Sequence, residues 1–209
     1  MAARSSAQAQ TRATSRPSRS LGLGNVLFGR KKLKEPAGDR IFALTTAAVT
    51  LDVECGVKPA GAGAVIFKPL SAGDFTQANA DIDELLDSVA KDAGSTLERK
   101  KDSFGFEWIV VHDPDLEDQV TAVHAVASEL QARGFGAQLL AAAFRFDSGG
   151  KPAYWIYGFK TGTFWPFVPT GEKQQRDNAR ELELKAKLEK ELPVEPDLSK
   201  WLALYDAPM

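Results

Sequence analysis

Apolar positions along the chain change their period several times, and each change marks a predicted element. In RIFALTTAAVTLDVEC, Ile41, Leu44, Ala48 and Leu51 recur at three and four, the spacing of one helical face, with Asp39 as cap and Gly56 as stop. VKPAGAG reads as a turn-rich passage before GAVIFKP, whose β-branched and aromatic run predicts the first strand. Ser71 to Ala93 returns to the helical period. Phe75, Ile82, Leu85, Leu86 and Val89 form its buried side, and Asp74, Asp81, Asp83, Glu84 and Asp87 face water. TLERKKDS and FGFEWIVVHD then read as two strands joined near Asp102 and Ser103, since Phe104, Phe106, Trp108 and Val110 alternate with their neighbours.

A second long helix opens at Asp113 and Pro114 and buries Leu116, Val120, Val123, Ala127 and Leu130 before Gly134 and Gly136 close it. The strand AQLLAAAFRF follows, and after the turn DSGGKP come two further strands around Thr161 and Gly162. Thr170 reads as the cap of a charged helix, EKQQRDNARELELKAKLEKELP, with Glu181 four before Lys185 and Glu183 four before Lys187. Leu184, Leu188 and Leu192 make its narrow seam, and Trp201, Leu202, Leu204 and Tyr205 let the tail lie over the body. The order predicts a two-layer α+β fold. Its antiparallel sheet has a ferredoxin-like split β-α-β core (βαββαβββ), with N-terminal and C-terminal helices added and helices against one face.

The densest apolar stretch is PAYWIYGFKTGTFWPFVPTG. Tyr154, Trp155, Tyr157, Phe159, Phe164, Trp165 and Phe167 crowd both strand faces there, which suits either a core covered on both sides or an aromatic docking face.

Composition narrows the class. With 209 residues, 44% hydrophobic and 26% charged, the chain supports a sizeable core in one domain. No apolar run approaches the roughly 20 residues of a membrane helix. The only cysteine, Cys55, cannot form an internal disulfide, which suits a reducing compartment and leaves no cysteine-built metal cluster. The net charge of −2 hides a division. Residues 1–34 hold eight Lys or Arg and no acid, so the head carries +8, and 18 bases against 28 acids leave the body at −10. That split predicts a basic arm meeting an anionic partner or folding back on its own acidic body.

Residues 1–20, rich in Ala, Ser and Arg, read as a disordered extension; the composition also fits a transit peptide or a start placed too far upstream. Residues 21–37 form an apolar and basic arm, and residues 38–209 one α+β domain. In the arm, Leu27 and Phe28 stand directly before Arg30, Lys31, Lys32 and Lys34, the chemistry of an interfacial anchor on anionic lipid or of a partner-binding segment. A hydrophobic arm with its lysines in water is the competing reading.

Candidate chemistry is sparse. His124 shares a polar stripe with Glu117, Thr121 and Ser128, so a small-ligand or hydrolytic site using His124 and Glu117 is the enzymatic alternative. Asp113, Asp115, Glu117 and Asp118 cluster like metal ligands but lack the glycine and final glutamate of a calcium loop, and a helix start already explains acids there. No zinc spacing, dinucleotide fingerprint, phosphate loop or hydrolase elbow is present, so neither a metal nor a cofactor is expected. The acidic body also opposes nucleic acid.

LFGRKKLKEP, DRIFALTTAAVTLDVECG, FGFEWIVV, DLEDQVTAVHAVASEL, GFGAQLLAAAFRF, PAYWIYGFKTGTFWPFVPTG and RDNARELELKAKLEKELPVEPDLSKW together resemble the PspA-associated family PspAB of actinobacteria and archaea. The likeness spans about residues 21–209, and Tyr154 to Gly171 is its most specific part. Residues 1–20 fall outside it, which favours the upstream start. The resemblance implies a cytoplasmic accessory of the phage-shock envelope-stress response, at the inner membrane surface, binding a PspA-like protein or anionic lipid without catalysis. It transfers no catalytic residue.

Overall fold

Leu44, Ala47, Leu51 and Cys55 lie on one side of α1 (Ala43–Cys55), and that side is buried against the sheet. In the computed structural model, which describes residues 39–69, 80, 82–84, 87–89, 94–172 and 174–209, a 3-10 turn at Asp39–Phe42 leads into this helix. Gly56 ends it in the left-handed region at φ 63°, its N–H donating to Asp52 O. The helix expected over 71–93 is described only in part. Ala80, Ile82–Glu84 and Asp87–Val89 are helical, with Ile82 and Val89 buried, whereas Phe75, Leu85 and Leu86 lie outside the described residues.

Among the described residues six strands follow: β1 (Val57–Phe67), β2 (Thr96–Lys101), β3 (Glu107–His112), β4 (Leu139–Ser148), β5 (Pro152–Gly158) and β6 (Thr163–Phe167). They form one sheet in the order β2-β3-β1-β4-β5-β6, and every neighbouring pair is antiparallel. The α+β class is therefore as expected. β3 lies between β1 and β2, and β1 lies between β3 and β4, which are joined through α2 (Leu116–Leu130).

The passage VKPAGAG is not a turn. It belongs to β1, whose pairing with β4 slips between Pro59 and Gly63. Such an irregularity lets a glycine-rich segment stay extended while its strand bends. At Gly63 a methyl group would stand 3.1 Å from the Phe144 ring and 3.2 Å from Val123, so a side chain there would have to push these neighbours aside by a few tenths of an ångström.

The acids before α2 are its cap. Asp115 Oδ1 accepts from Glu117 N at 2.7 Å and Asp113 Oδ1 from Asp115 N at 2.9 Å, so Asp115 is the cap and the helix starts at Leu116. Leu116, Val120, Val123, Ala127 and Leu130 are all buried. The last helix, α3 (Asn178–Leu188), is shorter than expected and is capped by Asp177, which accepts from Arg180 N; Thr170 instead serves a turn. Neither expected four-apart pair forms. Glu181 turns inward to Arg176, and Glu183 takes Arg180 and Lys187 takes Glu54. A charge on the helix face that meets the sheet is drawn to the partner that also leaves water, because attraction is stronger there.

One face of the sheet is covered by helices and the other in part by the tail. On one, Val65, Ile109, Phe144 and Trp155 meet Leu44, Val123 and Leu184 of the three named helices. On the other, Ile66, Trp108, Val110, Ile156 and Phe167 meet Trp201, which follows a 3-10 turn at Leu198–Lys200, and the chain end. Trp201 Nε1 donates to Glu195 O, Trp165 Nε1 donates to Leu202 O, and Tyr205 sets its ring edge-on to Phe167 at 5.2 Å. The tail does lie over the body. Residues Pro193 to Glu195 also shield the outer edge of β6, with Phe164 N donating to Pro193 O and Glu195 N to Phe164 O.

Candidate functional site

The aromatic stretch supplies core to both faces. Trp155, Tyr157 and Phe164 point to the helices, Tyr154, Trp165 and Phe167 to the tail, and only Phe159 is half-buried. Alternation along two adjacent strands distributes them this way, so they present little free surface. The other predicted binding residues, Leu27, Phe28, Arg30, Lys31, Lys32 and Lys34, lie outside the described residues, as do residues 1–20.

A groove remains on the tail side of the sheet. Its floor is Ile66, Trp108, Ala141, Ile156 and Trp165, one residue from each of β1, β3, β4, β5 and β6. One wall is the β2–β3 turn, Asp102 to Phe106, and the other the tail from Leu202 to Ala207. The space is about 260 Å³ and almost wholly apolar. The turn is built on Asp102, whose Oδ1 accepts from the Phe104 and Phe106 N–H groups and whose Oδ2 accepts from Trp108 Nε1 at 2.9 Å. Ser103 Oγ donates to Asp206 Oδ2 at 2.6 Å and Lys100 Nζ to Pro208 O at 3.0 Å, so turn and tail clasp one another. Phe104 and Leu202 stand 64% and 61% exposed at the rim. Large apolar side chains that exposed, beside an open apolar cavity, suit binding.

The histidine and glutamate of the enzymatic alternative are not brought together. They are seven residues apart on α2, which sets them about 10 Å apart along its axis, and Glu117 is exposed. His124 Nε2 lies 3.5 Å from Asp39 Oδ1, and its ring tilts over Phe42 at 5.0 Å. It borders a smaller cavity of about 200 Å³ with Ser128, Gln131, Phe159 and Lys160. The sequence pattern could not reveal Asp39 as the partner, because the contact joins two helical segments far apart in the chain. His112 pairs with Glu98 on the strand pair instead. Among the described residues no group of three or more His, Cys, Asp or Glu is placed to hold a metal ion.

Tyr157 is the most perturbed group described. Its hydroxyl is enclosed without a hydrogen-bond partner among the described residues, and burial pushes its pKa up to about 12, with Arg40 opposing and Asp39 assisting. A folded pKa above the unfolded value near 10 means that the unfolded chain ionises first. The stability held at pH 10 is then lost as pH rises toward 12. Thermal melts across that range are expected to show Tyr157→Phe resisting alkali better than the parent, and equal alkaline slopes would contradict this.

A model of the family described as PspA associated protein B, PspAB, matches residues 21–209. The chain belongs to the PspAB family. Comparison with curated proteins and with solved structures gives no match. The PspAB match takes in the arm from Leu21 onward together with the whole sheet, the groove and the tail. The PspAB description records an association and no reaction. No described helix of this PspAB chain is long and apolar enough to cross a membrane.

Proposed function

We propose that the chain is a non-catalytic accessory of a PspA-type envelope-stress response, acting in the cytoplasm by binding a PspA-like protein, the anionic inner face of the membrane, or both. The observation that carries this is the family match, whose description is of association with PspA. Charge layout supports it: the apolar and basic residues Leu27, Phe28, Arg30, Lys31, Lys32 and Lys34 precede a body of net −10. Apolar insertion and attraction to anionic headgroups reinforce one another in such a segment, while the acidic body is repelled and stays in water.

Co-sedimentation with anionic and neutral vesicles, with and without PspA and at low and physiological salt, tests the reading. Each basic residue near an anionic surface contributes about 1 kcal/mol, so replacing Arg30, Lys31, Lys32 and Lys34 by Glu is expected to weaken binding about a thousandfold. The melting temperature should stay unchanged. Undiminished binding by this variant would exclude the arm as the contact.

A further inference from the structure

The groove between the β2–β3 turn and the tail has a chemistry of its own. Its floor and walls are apolar, and the charged side chains lining it are both carboxylates, Asp102 and Asp206. Each is held by hydrogen bonds from Trp108 Nε1, from backbone N–H groups or from Ser103, and neither is ion-paired with a described residue. The nearby cation Lys100 is already engaged, by Glu98 at 2.8 Å and by Pro208 O. Two uncompensated negative charges therefore border an apolar cavity of about 260 Å³, on a body that is itself net negative.

From this we infer that the groove is a docking site for an amphipathic helix of a partner protein, one that carries lysine or arginine beside its apolar face. The inference rests on the reading of the chain as a binding module and supplies a second contact surface, independent of the arm. Apolar anchors at i, i+3, i+4 and i+7 enter the groove against Trp108, Ile156 and Trp165. Phe104 and Leu202 close over them from either rim. The flanking cations meet Asp102 and Asp206, which makes the encounter salt-sensitive and selects against acidic helices. The same carboxylates disfavour a fatty acid or an anionic phospholipid, whose headgroup would face like charge.

The probe is a synthetic helix of about 18 residues, since shorter helices are marginal in water, with Leu and Phe at the anchor positions and Lys beside them. A second peptide carries Glu in place of every Lys. Trp108 and Trp165 line the groove, so intrinsic fluorescence of the full chain reports binding. The expected result is saturable binding of the Lys peptide that weakens as salt rises, with much weaker binding of the Glu peptide. Losing an anchor contact should reduce affinity about tenfold in Phe104→Ser and in Leu202→Ser. Asp206→Asn should reduce it by about threefold, as for one exposed charge pair. Unchanged far-ultraviolet circular dichroism and melting temperature establish that these variants fold.

Charge reversal at Arg30, Lys31, Lys32 and Lys34 should leave peptide binding intact, which separates failure of the groove from failure of the arm. Equal affinity for the two peptides, or undiminished affinity in the rim variants, overturns the inference. So does displacement of the peptide by anionic vesicles, which would assign the groove to lipid. Self-association abolished by Leu202→Asp would likewise assign it to a second copy of this chain.

Discussion

Glu181→Ala is expected to lower stability by about 3 kcal/mol, at the low end of what breaking a buried ion pair costs because Arg176 keeps some contact with water. Glu181 is only 2% exposed and accepts from Arg176 Nε at both carboxylate oxygens, 3.0 Å to Oε1 and 2.9 Å to Oε2, with Nη2 in ion-pair contact at 2.8 Å, while Oε1 also accepts from Val168 N. Burial holds its carboxyl above the usual range, against the pull of Arg176 and the Val168 N–H. The pair is therefore a weak net source of stability, yet removing one member leaves a guanidinium and an amide without their acceptor. The consequence reaches the groove, because Arg176 Nη1 also donates to Trp201 O, at the root of the tail, and its guanidinium stacks over Phe167 at 5.3 Å. Thermal melting should show a fall of roughly 10 °C for a chain of this size. Glu181→Gln, which retains an acceptor for Val168 N, should fall less. A melting temperature unchanged in Glu181→Ala would mean that the tail is held by its apolar contacts alone.

Trp155→Ala is expected to cost about 3 to 5 kcal/mol, the range for emptying a large aromatic site in a closed core. Trp155 has no exposed surface and pairs across the sheet with Phe144 on β4 and Pro166 on β6. Its indole Nε1 finds no partner among the described residues, so Trp155→Phe should be far milder. That substitution removes an unsatisfied donor as well as volume, and the two effects oppose each other. Chemical denaturation of both variants measures the difference. If Trp155→Phe proved as damaging as Trp155→Ala, the unsatisfied nitrogen would have a partner that matters.

Much of the fold was legible in the chain because most elements announce themselves locally. Period and punctuation placed α1, α2, the β2–β3 pair and the three later strands, and the buried stripe of α2 followed residue by residue. The misreadings share one cause. VKPAGAG looks like a turn because glycine and proline usually end strands, and only pairing with both β3 and β4 keeps β1 extended through it. Glu181 looks like half of a surface ladder because its neighbours in sequence are charged. Tertiary contact with Val168 and Arg176 made it a buried group instead.

Charge division and the family likeness were determined by sequence alone, because each is a property of residue order. The assignment of the aromatic stretch to core, the pairing of His124 with Asp39 and the groove were decided only by tertiary structure. Alternation reveals that a strand has two faces but leaves open what covers each of them. Here helices cover one face, and a tail whose residues carry no periodic signal only partly covers the other, leaving Asp102, Phe104, Leu202 and Asp206 around an open apolar floor.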